Sequence, residues 1–215
     1  MKRAPYNYCD YRCEKCAVKD RCTVYQKELE EGYEDKDWFE IVSENLQKAR
    51  EMIDKFIKEN KIEILPENEE DPFEKIHREV EKKYIIKLTD DYLNKSEDFL
   101  KDYRAQYLII PELEEAFSDL DWYKTIIPVK IQRALDSLQE FVMMEDEFFL
   151  EDAYYTSLVV SKSLWKSLSG IRKIRNTINV NKLADEVENL LIEIVVEFKK
   201  EFPFEFIIGL LKANT

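Results

Sequence analysis

Apolar residues recur every three or four positions along nearly every segment of this 215-residue chain, and sustained alternation of the strand kind is absent. Phe39, Val42, Leu46, Ala49, Ile53 and Phe56 advance by 3, 4, 3, 4, 3, which lays one apolar stripe along a helix from about Asp35 to Asn60. The same reading continues through the chain, so the fold expected is an all-α bundle of about five or six helices. Only three glycines are present, Gly32, Gly170 and Gly209, too few for the glycine-rich turns that cradle phosphates. P-loop and dinucleotide-binding enzymes are thereby excluded.

Breaks between helices are read from proline, acid runs and capping residues. Pro66 to Pro72 encloses an acidic loop, after which Asp71 caps a helix carrying Pro72 at its first position. The stripe then passes through Phe73, Ile76, Val80 and Tyr84 to Leu88, Tyr92, Phe99 and Tyr103, with a break expected near Thr89-Asp90-Asp91. A third stretch spans Glu112 to about Met144 and should be kinked or divided at Pro128. A fourth runs from about Glu151 to Asn176, and a fifth from about Asn181 to Glu201, stopped by Pro203. Residues 1–27 form a separate loop, and 35–215 read as one continuous bundle domain. The segment Phe202 to Leu211 carries seven large apolar side chains and is expected to dock on the body or on a second subunit.

The net charge of -13 arises from 33 Lys plus Arg against 46 Asp plus Glu, a field that repels phosphate backbones and disfavours nucleic acid as a partner. Residues 1–27 depart from that balance, with seven basic and three acidic side chains, a local excess of four positive charges. The N-terminus has no apolar stretch of the secretory kind, and no apolar run approaches a membrane span, so a cytoplasmic protein is expected, free or bound to a protein partner or a second copy of itself.

All four cysteines, Cys9, Cys13, Cys16 and Cys22, fall within fourteen residues as C-x3-C-x2-C-x5-C. In a reducing compartment clustered thiols hold metal more often than they pair as disulfides. Thiolates are soft ligands, and four of them suit tetrahedral Zn2+ or the irons of a [4Fe-4S] cube. Structural zinc sites usually separate two C-x2-C knuckles by a dozen or more residues, a separation this loop lacks. A cube is wider and can be wrapped by one continuous loop. The expected cofactor is therefore a [4Fe-4S] cluster on Cys9, Cys13, Cys16 and Cys22, with Zn2+ as the alternative. Lys15, Lys19 and Arg21 would offset its charge, and Tyr6, Tyr8, Tyr11 and Tyr25 would shield it.

The run Cys13-Glu-Lys-Cys16-Ala-Val-Lys-Asp-Arg-Cys22 resembles the [4Fe-4S] loop of endonuclease III-type DNA glycosylases, which closes in C-x2-C-x5-C with an acid two residues before the last cysteine, here Asp20. The first interval is shorter here, and only eight residues precede Cys9 where the glycosylase DNA-binding motif would stand. The resemblance thus implies the cofactor and not the glycosylase reaction. Cys9, Cys13 and Cys16 also spell the C-x3-C-x2-C of radical S-adenosylmethionine enzymes, but Cys22 offers a fourth thiolate where those enzymes keep an iron unligated. The opening is similar, too, to an uncharacterised bacterial family of helical proteins with an N-terminal four-cysteine motif, from which no activity follows.

Weaker constellations stand beside the loop. Glu74-Lys-Ile-His77 is an E-x-x-H pair of the di-iron bundle type, but those bundles need two such pairs and His77 is the single histidine. A structural histidine beside Phe73 and Val80 is the expectation; a metal site would need Glu74 and a carboxylate such as Asp119, Asp121 or Asp152. Ser163-Leu-Trp-Lys166 matches S-x-x-K by composition alone. Lys130 or Arg133 is expected to pair with Asp152 in a buried ion pair. The functional readings are a redox or cluster-stabilised protein, a zinc-stapled interaction module, and a metal-dependent enzyme with its site inside the bundle.

Overall fold

The computed structural model describes residues 8–31, 38–62, 71–107 and 109–203, and the chain divides into two compact units, Met1–Glu70 and Asp71–Thr215. The described residues contain seven α-helices and no strand. In the first unit the cysteine loop leads into α1 (Thr23–Glu31), followed by α2 (Trp38–Asn60). In the second are α3 (Pro72–Glu81), α4 (Tyr84–Tyr107), α5 (Glu114–Met144), α6 (Glu147–Thr177) and α7 (Lys182–Glu201).

The second unit is an antiparallel four-helix bundle in which α4 packs on α5, α5 on α6, α6 on α7 and α7 back on α4, while α3 lies against α5. Short connections impose the up-and-down order. Between α5 and α6 the chain turns at Glu145, whose left-handed φ of 55° brings its N–H to the Phe141 carbonyl at 2.8 Å. Asp146 then caps α6 by accepting from the Phe148 N–H, and Asn181 caps α7 by accepting from the Leu183 N–H. The core is built from Val80, Leu88, Tyr92, Phe99, Leu120, Ile127, Ile131, Val160, Ile171, Leu191 and Phe198, all essentially inaccessible to water.

Cross-links of opposite charge mark the packed walls. Lys95 on α4 meets Glu186 on α7, and Lys83, just before α4, meets Glu201 at the end of α7, each at 2.9 Å. Lys124 on α5 reaches Glu97 on α4 at 2.6 Å, and Arg172 on α6 reaches Glu188 on α7 at 2.7 Å. A diagonal contact crosses the core, where the Tyr92 hydroxyl donates to Ser167 Oγ at 3.2 Å and burial pushes the Tyr92 phenol up to about 12.

Three boundaries differ from the sequence expectation. The break in the second stretch falls at Lys82–Lys83 and not at Thr89-Asp90-Asp91. Thr89 is buried and donates Oγ1 to the Ile86 carbonyl, a bond that keeps a hydroxyl satisfied inside a helix. Pro128 does not divide α5, which is continuous across it. The neighbouring Ile127 and Ile131 are fully buried, and that packing offsets a proline cost of about 3 kcal/mol. Helix α1 has no counterpart in the sequence expectation, and with it the described residues hold seven helices where five or six are expected. Phe202 is buried and stacks on Phe198 with ring centroids 4.8 Å apart; the remainder of the expected C-terminal docking segment lies outside the described residues.

Candidate metal centre

The cysteine loop is built from two copies of one small turn. Cys13–Lys15 and Lys19–Arg21 are each a single 3-10 turn, and each is followed by a cysteine. The Cys16 N–H bonds to the Cys13 carbonyl at 3.1 Å, and the Cys22 N–H bonds to the Lys19 carbonyl at 3.0 Å. Cys16 has φ −82° and ψ 122°, and Cys22 has φ −86° and ψ 118°, so the two cysteines leave their turns in nearly the same extended conformation. The x2 and x5 intervals have a local cause: the first is one turn, and the second is a link plus one more turn.

Further contacts tie the loop to the helix that follows. Cys22 immediately precedes α1 and its carbonyl accepts from the Gln26 N–H at 3.0 Å, so this cysteine stands at a helix N-terminus, where backbone N–H groups favour negative charge. Gln26 Nε2 donates back to the Asp20 carbonyl, and Lys19 Nζ lies 5.9 Å from the centre of the Tyr25 ring. Tyr11 has a positive φ of 54°, uncommon for an aromatic residue, between Cys9 and Cys13. Arg12 next to it is buried, with Nε 2.9 Å from Glu14 Oε1. The burial of Arg12 is not visible in the sequence, which presents it only as one of several basic residues.

All four cysteines are half-buried and none is in a disulfide. Among the described residues, no three His, Cys, Asp or Glu side chains stand close enough together to hold a metal ion. The chemistry of the donor set nevertheless fits a thiolate-ligated centre: four soft ligands in one loop and no competing disulfide. Lys15 and Arg21 are exposed beside them, as is Tyr11, while Tyr8 and Tyr25 are half-buried; Tyr6 lies outside the described residues.

The remaining sequence candidates resolve differently. His77 does not meet Glu74 or the carboxylates of Asp119, Asp121 or Asp152. Its Nδ1 lies 3.0 Å from Asp136 Oδ2 on α5, and its Nε2 lies 3.5 Å from Glu81 one turn along α3. Gln132 Nε2 donates to the other oxygen of Asp136 at 3.0 Å. The hydrogen bond to Asp136 raises the His77 pKa above 6.5, opposed by partial burial and helped by the charges of Asp136 and Glu81. Glu81 could be found from its i+4 position; Asp136, 59 residues away, could not.

Ser163 donates to the Val159 carbonyl, and Lys166 points to Asp119 at 3.5 Å, so S-x-x-K is divided between a helix-internal bond and an interhelical ion pair. The expected pair with Asp152 is present and Arg133 makes it. Nε and Nη2 reach the two carboxylate oxygens at 3.0 and 2.6 Å, with Ser137 donating to Oδ2 at 2.8 Å. Lys130 is buried nearby on the same helix.

No helix among the described residues is long and apolar enough to cross a membrane. No protein-family model matches the chain, and neither the curated proteins nor the solved structures provide a match. Functional assignment therefore rests on the residues themselves.

Proposed function

We propose that Cys9, Cys13, Cys16 and Cys22 together ligate one metal centre, a [4Fe-4S] cluster, whose first role is to organise the N-terminal unit. One observation carries this reading. Among the side chains described between residues 8 and 62, Arg12 alone is buried, and none of the described apolar side chains there forms a core around the cysteine loop. Small folds that lack a core are usually held by disulfides or metal, and these four cysteines form no disulfide. The duplicated turn ending on Cys16 and Cys22 supports a shared centre, because it presents two ligands in equivalent backbone geometry. The adjoining N-terminus of α1 suits a centre that four thiolates leave at a net charge of about -2. A bound cluster would also supply one-electron redox chemistry, making electron transfer the activity to look for in this chain.

The test is anaerobic purification followed by absorption spectroscopy and metal analysis. A brown protein with broad absorption near roughly 400 nm, and iron matched by acid-labile sulfide, supports the cluster. A colourless protein holding one zinc transfers the same ligands to the zinc-stapled alternative. Each single Cys→Ser replacement should weaken metal retention, and full occupancy in all four would overturn the shared site. Removing the metal should lower the helix content of the N-terminal unit while the bundle keeps its cooperative unfolding; an unchanged circular dichroism spectrum would refute the organising role.

A further inference from the structure

We infer that α2 is a dimerisation helix, forming a parallel two-stranded coiled coil with α2 of a second copy of this chain. The helix has 23 residues, about 35 Å, and the described part of its apolar stripe is exposed: Leu46 is 67% accessible, Ile53 58% and Phe56 59%, with Met52 beside them at 72%. Among the described contacts the principal one of α1 is with the Lys19–Arg21 turn, not with α2. The stripe also has a narrower period than a helix that lies on a globular core. Its 3, 4, 3, 4, 3 spacing is a heptad, with Phe39, Leu46, Ile53 and Asn60 at a and Val42, Ala49 and Phe56 at d, slightly over three heptads in all.

The flanking positions select both the occupant and its direction. In a parallel pair of identical helices each g residue faces the e residue five positions on in the second copy. Asn45 then faces Arg50 of the second copy, and Met52 faces Ile57 of the second copy, which widens the apolar seam without opposing like charges. An antiparallel pair centred on this segment sets Arg50 against Arg50 and places Asn60 against Val42. In the parallel pair Asn60 meets Asn60. Its Nδ2 donates to the Phe56 carbonyl within its own helix at 2.9 Å, leaving a second N–H and the side-chain carbonyl for the partner amide. A polar layer of this kind at a fixes register and favours two strands. The other polar pairs of the helix, Gln47 with Glu51 and Lys55 with Glu59, join positions outside the a and d layers, so the seam can close without breaking them.

Sedimentation equilibrium of the full chain tests the inference. The expected mass is twice 25.9 kDa, falling to the monomer value in Leu46→Asp and in Ile53→Asp while the bundle retains its unfolding transition and the metal content is unchanged. Glu51→Lys, on the outer face, should leave the dimer intact. Asn45→Glu adds two charge pairs with Arg50 in the parallel register and should lower the dissociation constant about two- to tenfold. In the antiparallel register the same change opposes Glu59 and weakens the dimer, which would overturn the assigned direction. A monomeric wild-type chain at every concentration, or a dimer indifferent to Ile53→Asp, would overturn the inference itself. Because metal content is read in the same samples, failure of the dimer and failure of the cluster assignment are distinguishable.

Discussion

Replacing Arg133 by Ala should damage the bundle more than replacing its partner Asp152, although both changes delete the same ion pair. The asymmetry comes from where water can reach. The Asp152 side chain is 5% accessible, whereas that of Arg133 is 37% accessible. Arg133→Ala strips a buried carboxylate of both guanidinium bonds, and breaking a buried pair in this way costs about 3–5 kcal/mol. Partial exposure of the pair places the cost near the lower end, about 3 kcal/mol, since screening already weakens it. Asp152→Ala leaves a guanidinium that water can solvate and orphans the Ser137 hydroxyl, a loss of about 1–2 kcal/mol.

The double variant should then lie close to Asp152→Ala alone, because the stranded charge has gone. Thermal unfolding followed by circular dichroism provides the assay. At roughly 2–4 °C per kcal/mol for a unit of this size, Arg133→Ala should melt about 6–12 °C below the wild type, and Asp152→Ala about half as far below. If Asp152→Ala proves as costly as Arg133→Ala, or if the two single effects add in the double variant, the argument from stranded charge is refuted.

Two further outcomes follow from contacts in the same unit. Gly170→Ala on α6 would gain about 1 kcal/mol on an exposed helix, but here the new Cβ would stand 2.9 Å from the Ala116 carbonyl oxygen of α5. Backbone cannot rotate away, so an overpacking cost of about 1–3 kcal/mol should match or exceed the gain; a higher melting temperature would contradict the close approach of α5 and α6. The single histidine gives one imidazole resonance by NMR, and His77 should titrate above 6.5, falling toward that value in Asp136→Asn. With its folded pKa raised, His77 contributes stability that is complete below 6.5 and lost as the pH rises through the raised value, by no more than about 0.5 kcal/mol at so exposed a site. His77→Gln should abolish that small slope without changing the metal content, and a midpoint at or below 6.5 would disprove the Asp136 contact.

Much of the helical architecture is legible in the chain because helix formation leaves a local record. The 3–4 spacing, Asp71 with Pro72, Asn181 and the stop at Pro203 each act within one or two turns, so the ends of α3 and α7 follow from a few neighbouring residues. The cysteine intervals belong to the same class: C-x2-C encodes one 3-10 turn, and the final interval another. Where a rule failed, a distant packing partner had prevailed over a local preference. Thr89 would cap a helix in isolation, and Pro128 would end one, but the first is buried and the second lies beside buried Ile127 and Ile131.

Composition and periodicity alone determined that this chain is helical, acidic and provided with one four-thiol loop. Only the tertiary structure decided which groups meet: Arg133 with Asp152, Asp136 rather than Glu74 beside His77, and a backbone carbonyl against Gly170. The same applies to α2, whose stripe is plain in the sequence although its exposure is not. The physical reason is range. Helix propensity, capping and turn geometry are set by residues within about four positions of each other, so a sequence displays them directly. Ion-pair partners and close approaches join residues up to 118 positions apart in this chain, and those pairings exist only after the helices have packed.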